Sequence, residues 1–209
     1  MFITFEGIDF SGKSTQVELL YKYLLSQDKK VEIIREPGGT EISEIVRTIL
    51  LDKAHNKMTM ETEIFLFSAS RAQLVREKIR PYSKDGIYVI LDRFHDSTTA
   101  YQGFGRGISL DSVAHINKLA TGETVPDITF FLDIPVDEAN RRKKLNRQIE
   151  LDRIEVSSNE FYERVRKGYL YLAERENRFK VLDGKLNEED IHKKIIEELA
   201  LYEHKEKVC

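Results

Sequence analysis

The sequence has little cysteine, no excess of positive charge and no long hydrophobic run. Its single cysteine, Cys209, is the last residue, so an intrachain disulfide bond is excluded. The formal net charge of −3 argues against bulk electrostatic attraction to nucleic acid, and no nucleic-acid partner is expected. No apolar run approaches membrane-spanning length, and the N-terminus lacks a basic region followed by a long apolar core. We therefore expect no membrane partner and a cytoplasmic location.

The composition that is present is typical of one ordinary globular domain. Hydrophobic residues make up 41% of the 209 residues and charged residues 33%. This length is enough for one sizeable core. The sequence contains no internal repeat, no low-complexity tract and no linker rich in proline, glycine or serine. We therefore predict a single domain over residues 1–209.

Short apolar segments alternate with amphipathic ones along the chain. The third apolar segment, at 87–91, is apolar on both faces, as a central parallel strand covered by helices should be. Between these segments apolar residues recur with a helical period, and Ser157 with Glu160 predicts a capping box at a helix start. The pattern predicts an α/β fold of three layers, whose ligands bind beyond the carboxyl ends of its parallel strands. The predicted strands are 2–5, 31–35, 87–91, 128–132 and 179–182.

The first predicted strand leads into a glycine-rich segment, which we call the phosphate loop. Residues 7–14, GIDFSGKS, match G-x-x-x-x-G-K-[ST], in which backbone N–H groups and the start of the next helix surround nucleotide phosphates. Lys13 adds a positive charge for the β- and γ-phosphates, and the Ser14 hydroxyl can bind Mg²⁺. A glycine turn with a chance Lys-Ser is the alternative, against which the strand and helix on either side argue. The predicted ATP-binding residues are Gly7, Ile8, Asp9, Phe10, Ser11, Gly12, Lys13, Ser14 and Thr15, with Arg142 from a later basic segment.

Polar residues follow the second and third predicted strands. The turn at 35–40, REPGGT, is either a connector or a set of exposed N–H groups that line a pocket, and the residues alone leave this open. Asp92 is well placed for Mg²⁺, directly or through water, and Arg93 can hold a phosphate with a bidentate fork. A structural ion pair between them, or a cap on the next helix, is the alternative, but their position at a strand end favours function.

Two helical segments have both a functional and a structural interpretation. Phe67 and Arg71 share one helix face, where they either bind a nucleobase or form a buried ring beside a surface arginine. Six cations between 141 and 153 are either a solvated helix face or a lid that closes over phosphates and excludes water. These cations are Arg141, Arg142, Lys143, Lys144, Arg147 and Arg153.

Five motifs in order together resemble bacterial thymidylate kinases, and they span residue 6 to about residue 155. The resemblance implies a phosphate-loop kinase fold with a five-stranded parallel sheet and a short lid at about 141–155. It also implies transfer of the γ-phosphoryl group of ATP to dTMP with Mg²⁺, giving dTDP and ADP for dTTP synthesis, in a cytoplasmic homodimer. The motifs are E-G-I-D-x-x-G-K-S-T, R-E-P-G-G-T, F-S-A-S-R, D-R-F-x-x-S-x-x-A-Y-Q-G and L-D-R-I-E.

The resemblance further implies roles for single residues. Phe67 would stack on thymine, Arg71 would bind the edge of the base, and Arg93 would hold the dTMP phosphate. Pro37 would follow a cis peptide bond, and Asp9 would contact the deoxyribose 3′-hydroxyl. The implied dTMP-binding residues are Asp9, Pro37, Phe67, Arg71, Arg93, Ser97, Tyr101 and Gln102.

The phosphate loop departs from part of the family at Phe10, where some members carry an arginine. The sequence therefore resembles the subtype whose catalytic arginine comes from the lid, and Arg153, in L-D-R-I-E, is the first choice ahead of Arg142 and Arg147. The implied catalytic residues are Lys13, Asp92, Arg93, Arg147 and Arg153. The implied metal site has Ser14 as a direct ligand, with Asp92 and Asp9 acting through water.

Two other functions fit parts of the same pattern. A deoxynucleoside kinase also has a phosphate loop and a D-R motif, but its hydroxyl acceptor needs a carboxylate base. A dTMP acceptor is already anionic, so its transfer requires mainly alignment and charge neutralisation. The second alternative is an ATPase switch with a protein partner, which would turn over ATP without any acceptor.

Overall fold

The computed structural model describes residues 1–145 and 152–208. Arg147, which the sequence analysis named as a catalytic candidate, lies outside the described residues. Five strands form one sheet in which every neighbouring pair is parallel, in the order β2-β3-β1-β4-β5. Each predicted strand is present within one residue of its predicted bounds. The strands are β1 Phe2–Glu6, β2 Val31–Arg35, β3 Tyr88–Asp92, β4 Ile128–Asp133 and β5 Phe179–Asp183.

Nine α-helices are seen in the described part of the chain, and three of them adjoin π-helical turns at Val75–Ile79 and Thr99–Gly105. They connect the strands in the alternation that the sequence predicts, so the predicted α/β class is confirmed. The helices are α1 Lys13–Ser26, α2 Glu41–Leu51, α3 Met60–Leu74, α4 Arg80–Lys84, α5 His95–Thr98, α6 Leu110–Thr121, α7 Val136–Leu145, α8 Asn159–Ala173 and α9 Glu188–Val208.

The start of α8 lies one residue later than the capping pattern predicts. Ser158, rather than Ser157, is the N-cap, and its hydroxyl accepts a hydrogen bond from the backbone N–H of Phe161. Ser157 instead donates its backbone N–H to the carbonyl of Ile154 in the preceding turn. Two adjacent serines offer the same side chain for capping, so the sequence pattern alone did not select between them.

The core lies on both faces of the sheet, since neighbouring residues of one strand pack against different helices. Phe130 belongs to a cluster with Leu20 of α1 and Ile195 of α9. The next residue, Phe131, belongs to the opposite cluster, where its ring stacks on that of Tyr169 from α8 at 5.2 Å. These three layers leave the carboxyl edge of the sheet for the loops. Across the described residues, we find no helix that is long and apolar enough to span a lipid bilayer.

Candidate active site

An open cleft of about 1080 Å³ lies at the carboxyl edge of the sheet. It is bounded by the phosphate loop, the turn after β2, the loop after β3, the end of α7 and the segment after β5. Most predicted site residues within the described ranges line this cleft; Gly7, Ile8 and Arg153 are the exceptions. Those that do are Asp9, Phe10, Ser11, Gly12, Lys13, Ser14, Thr15, Pro37, Phe67, Arg71, Asp92, Arg93, Ser97, Tyr101, Gln102 and Arg142.

The phosphate loop turns sharply because two of its glycines have conformations that other residues rarely adopt. Gly7 has a φ of +143°, and a Cβ atom at this position would lie 2.6 Å from the carbonyl oxygen of Leu132. Gly12 has a φ of +100° directly before α1. The loop therefore passes close to β4 and presents the start of α1 to the cleft, an arrangement that suits an anion.

Lys13 is buried and turns back onto the phosphate loop. Its Nζ donates hydrogen bonds to the carbonyl oxygens of Gly7, at 3.1 Å, and Ile8, at 3.0 Å. The pKa of Lys13 is lowered to about 8, mainly by burial and also by the charge of Arg93, while nearby carboxylates act in the opposite direction. The ammonium group is therefore mostly charged near neutral pH and is held where phosphates would meet the loop.

Ser14 and Asp92 meet at the floor of the cleft. The Ser14 hydroxyl donates a hydrogen bond to Asp92 Oδ2 at 2.8 Å. The pairing joins the start of α1 to the end of β3, and Asp92 does not form the alternative ion pair with Arg93. A hydroxyl and a carboxylate at this distance offer the oxygen donors that Mg²⁺ prefers.

Asp9 is the carboxylate that pairs with Arg93. Its Oδ1 accepts a hydrogen bond from Arg93 Nη2 at 2.6 Å, and its Oδ2 accepts from the hydroxyls of Tyr162, at 2.8 Å, and Tyr101, at 3.3 Å. Burial acts to raise the pKa of Asp9, but the charges of Arg93 and Lys13 outweigh it and the pKa lies below its usual value. Asp9 is therefore ionised and engaged by three donors, which makes it a weaker metal candidate than Asp92.

Arg93 lies at the centre of the cleft in a strained backbone conformation. Its φ of +72° is in the left-handed region, which a residue with a long side chain rarely occupies. Its Nη1 donates to the carbonyl of Gly7 at 2.8 Å and to the hydroxyls of Tyr169, at 3.0 Å, and Ser97, at 3.3 Å. The guanidinium is therefore positioned by several groups before any ligand arrives.

The predicted base-binding pair is brought together, and the structural alternative is wrong for its arginine. Phe67 is half-buried and lines the cleft. Arg71 is buried, with its Nε 2.6 Å from Glu36 Oε1 and its Nη1 donating to Thr98 Oγ1 at 2.8 Å. Burial excludes the surface arginine, and these contacts hold Arg71 as a donor in the wall of the cleft.

The turn after β2 contributes side chains to the cleft rather than free N–H groups. The peptide bond between Glu36 and Pro37 is cis, as the resemblance implied. The N–H of Gly38 points to Ser70 Oγ at 3.3 Å, and that of Gly39 to Glu44 Oε1 at 2.7 Å. The interpretation in which exposed N–H groups of this turn line a pocket is therefore wrong for these two glycines.

Arg153, the first choice for the catalytic arginine, lies outside the cleft in this structure. Its Nη1 pairs with Glu63 Oε2 at 2.7 Å, and its Nε donates to the carbonyl of Leu50 at 2.8 Å. Arg106 and Gln102 donate to the same Glu63 carboxylate. The sequence around Arg153 contained no sign of its partner Glu63, 90 residues earlier in the chain.

Arg142, on α7, borders the phosphate loop. Its Nη1 donates to the carbonyls of Phe10 and Ser11, both at 3.3 Å, and its Nη2 to Gly184 at 2.7 Å. Its Nε pairs with Glu138 Oε1 at 2.7 Å, one turn earlier on α7. Arg142 therefore joins the phosphate loop to the segment after β5.

Sequence reasoning missed two parts of the site. The first is a polar group next to Asp9 and Arg93, formed by the carboxylate of Glu6 and the hydroxyls of Tyr162 and Tyr169. Glu6 was part of a quoted motif, but no local sequence pattern pointed to the two tyrosines. The second is the segment after β5, where Gly184, Leu186, Asn187, Glu188 and Ile191 line the cleft. The rule that ligands bind beyond strand ends, applied to β5, would have found it.

Comparison with known proteins decides the family. The thymidylate kinase family model matches residues 5–195. The chain belongs to the thymidylate kinase family. It is 48% identical over 202 residues to the thymidylate kinase of Kosmotoga olearia, covering 96% of each chain, and 51% identical over 184 residues to that of Thermosipho melanesiensis, covering 88% of this chain and 89% of the relative. The predicted family and kinase function are confirmed.

A solved structure extends the similarity to the fold. The crystal structure of thymidylate kinase from Ehrlichia chaffeensis superposes with a TM-score of 0.77 at 36% identity, covering 96% of this chain and 98% of that chain. The predicted three-layer phosphate-loop kinase fold is therefore confirmed.

Proposed function

We propose that the protein transfers the γ-phosphoryl group of ATP to dTMP, giving ADP and dTDP. The observation that carries this proposal is that Lys13 Nζ and Arg93 Nη1 donate to the same carbonyl oxygen, that of Gly7, at 3.1 and 2.8 Å. A cation of the donor-phosphate loop and a cation of the acceptor side thus meet at one atom. Two polyanions that repel each other need such an arrangement to be aligned for direct transfer.

The acceptor is held by the walls of the cleft. Phe67 stacks on thymine and Arg71 binds the base edge, while Arg93 and Ser97 hold the phosphate. Tyr101 packs over Arg93, whose guanidinium carbon is 5.0 Å from the ring centroid, and closes the sugar side. Because the attacking phosphate oxygen is already anionic, the site needs no general base, and Asp9 orients Arg93 and the sugar instead.

The donor takes the other arm of the cleft. Its phosphates bind the phosphate loop, and its nucleoside lies between Arg142 and the segment 184–191. Gln16 Nε2 donates to the carbonyl of Glu188 at 2.9 Å and so fixes this segment to α1.

Mg²⁺ fits the donor arm, and we propose Ser14 and Asp92 as the residues that hold it. Their oxygens lie 2.8 Å apart at the end of the phosphate loop. Mg²⁺ typically binds one or two protein oxygens and completes its shell with phosphates and water. When bound, it neutralises charge on the donor phosphates.

We also propose Arg142 as the lid arginine that contacts the transferring phosphoryl group. Its position against the carbonyls of Phe10 and Ser11 supports this role. The ion pair between Arg153 and Glu63 supports a different role for Arg153, as an anchor of the lid to α2 and α3. The assignment of Arg147 stays a prediction.

The functional unit we propose is a homodimer in the cytoplasm. The apolar side chains that are at least 40% exposed include three on α2, two on α3 and one on α6. The two helices α2 and α6 both pack against α3. We define this dimer face by Ile42, Ile45, Ile49, Phe65 and Leu119.

A panel of acceptors tests the proposed reaction. ADP formation with saturating ATP is measured for dTMP, dUMP, dGMP, the ribonucleotide of thymine, thymidine and no acceptor. A pocket gains about 10- to 200-fold from one methyl group, so dUMP should be a poor but measurable acceptor. The ribonucleotide should be poorer because its 2′-hydroxyl meets Tyr101. Thymidine as the better acceptor would indicate a nucleoside kinase, and ADP formation without acceptor an ATPase switch.

A further inference from the structure

Glu6 is a carboxylate buried behind the cleft, at the end of β1 and directly before the phosphate loop. It is 0% exposed, so every polar contact it makes is with the protein. Its Oε1 accepts a hydrogen bond from the backbone N–H of Phe94 at 2.8 Å. Its Oε2 accepts from Ser97 Oγ at 2.7 Å and from the Tyr169 hydroxyl at 2.9 Å. Burying a carboxylate without partners costs folding free energy, so the contacts of Glu6 indicate its role.

All three donors to Glu6 are also neighbours of Arg93. Phe94 follows it in the chain, and Tyr169 and Ser97 lie 3.0 and 3.3 Å from its Nη1. A hydroxyl has one proton to donate, and an ionised carboxylate can only accept. When both hydroxyls donate to Glu6, their lone pairs are left to accept from the Arg93 guanidinium.

Glu6 also helps to hold the backbone conformation of Arg93. The φ of +72° at this residue is maintained only when neighbouring bonds hold it. The N–H of Arg93 donates to the carbonyl of Phe5 at 3.0 Å, and the N–H of Phe94 to Glu6. The strained residue is therefore fixed on both sides by consecutive residues of β1.

We propose that Glu6 is a positioning residue that orients the Arg93 guanidinium for the acceptor phosphate through Ser97, Tyr169 and the Phe94 N–H. The role rests on the proposed function of Arg93. It predicts that loss of the Glu6 charge impairs the acceptor side of the site and leaves the ATP side unchanged.

Glu6→Gln tests this inference at nearly constant size. Its amide nitrogen cannot accept, so one of two contacts is lost: either the Phe94 N–H loses its acceptor, or the hydroxyls of Ser97 and Tyr169, whose oxygens lie 2.8 Å apart, must turn a proton to each other or towards Arg93. Burial raises the pKa of Glu6 to about 7, with Asp96 acting in the same direction and Arg93 against it, so the assays are run above this pH. The KM for dTMP should rise by about 10- to 100-fold, the range for hydrogen bonds to charged groups. The KM for ATP should stay within about twofold of the original value, because none of the side chains bonded to Glu6 belongs to the arm of the cleft that we assign to ATP.

The variant Thr4→Val provides a matched control. Thr4 lies two residues earlier in β1, is equally buried, and has its Oγ1 2.8 Å from Thr129 Oγ1. The substitution removes a buried hydrogen bond from the same strand, and none of the contacts of Arg93 or of the three donors to Glu6 involves Thr4. Thr4→Val should lower the thermal midpoint and leave the KM for dTMP unchanged.

A double-mutant cycle with Arg93→Ala separates positioning from general damage. If Glu6 acts through Arg93, Glu6→Gln should add little to the KM for dTMP once the guanidinium is gone. Additive effects, or equal changes in both KM values, would overturn the inference. If Glu6→Gln does not fold, Tyr169→Phe removes one of the two hydroxyls and is put through the same cycle. If the wild type phosphorylates dTMP and Glu6→Gln leaves the KM for dTMP unchanged, only the positioning role of Glu6 is rejected. If the wild type itself does not respond to dTMP, the proposed function is rejected.

Discussion

At the scale of single residues, two side chains of the cleft are attached to strained backbone. Phe10 and Arg93 both have positive φ values, 64° and 72°, and both line the cleft. Neither is a residue type that favours this conformation, so the surrounding bonds must maintain it. This strain could not be predicted from the sequence, since it depends on the contacts that hold a residue and not on its type.

Lys13→Ala should lower kcat by about 10²–10³-fold or more, because a preorganised charge facing the transferring phosphoryl group is lost. The fold should be retained, since Lys13 contacts only carbonyl oxygens of its own loop through Nζ. Steady-state kinetics with dTMP and a thermal unfolding curve check both parts. Near-normal turnover in a folded variant would reject the phosphate-loop assignment.

His95 should make the stability of the protein depend on pH. Burial lowers the pKa of His95 to about 4 from an ordinary value of 6.5, Asp96 opposes this shift, and Arg178 and Arg71 add to it. Between pH 6.5 and 4 the unfolded chain therefore binds a proton that the folded protein does not. The free energy of unfolding should fall as the pH decreases through this interval, by up to about 3 kcal/mol at roughly 1.4 kcal/mol per pKa unit.

The variant His95→Gln isolates this contribution. Burial raises the pKa values of Glu6 and Glu36 to about 7, so both stabilise the fold more as the pH decreases from 7 to 4.5, opposite to His95. The difference in unfolding free energy between wild type and variant, from urea titrations at several pH values, removes that background. Parallel pH curves for the two proteins would show that His95 does not titrate as described.

At the scale of elements, local pattern was a good guide to strands and a poor guide to partners. All five strands and the phosphate loop follow from apolar runs and spacing, because these depend on neighbours in sequence. The pairing of Glu63 with Arg153, Arg106 and Gln102 joins α3 to the lid and to the loop after β3. Such contacts depend on how elements pack, so the sequence alone did not reveal the partner of Arg153, and its catalytic role stays a prediction.

Variants of Arg142 and Arg153 should differ in their effect on kcat. Arg142→Ala should reduce kcat by roughly 10³-fold or more if this residue contacts the transferring phosphoryl group. Arg153→Ala and Glu63→Gln should both have smaller effects, since each removes the ion pair between these residues, and Glu63→Gln also weakens the contacts of Glu63 with Arg106 and Gln102. Single-turnover rates for the three variants make the comparison. A severe loss in Arg153→Ala with a mild one in Glu63→Gln would return the catalytic role to Arg153.

At the scale of the whole molecule, one edge of the sheet carries the candidate site, and α2, α3 and α6 together carry several of the exposed apolar residues. The cleft draws on loops after β1, β2, β3 and β5, which the parallel topology brings to the same edge. The dimer face lies on α2, α3 and α6. In the sequence, Ile42, Ile45 and Ile49 of this face recur with a helical period, but periodicity cannot tell a stripe that faces the core from one that faces a second subunit.

The dimer face should bring two chains together in solution. Sedimentation of the wild type at micromolar concentration should give twice the chain mass. Ile45, which is 60% exposed on α2, lies within the face, and Leu201, which is 57% exposed on α9, lies outside it. In a twofold interface each substitution occurs twice, so Ile45→Glu buries two charges and should give monomers. Leu201→Glu adds the same charge at similar exposure and should remain dimeric. A monomeric wild type, or equal dissociation by both variants, would reject this face as the interface.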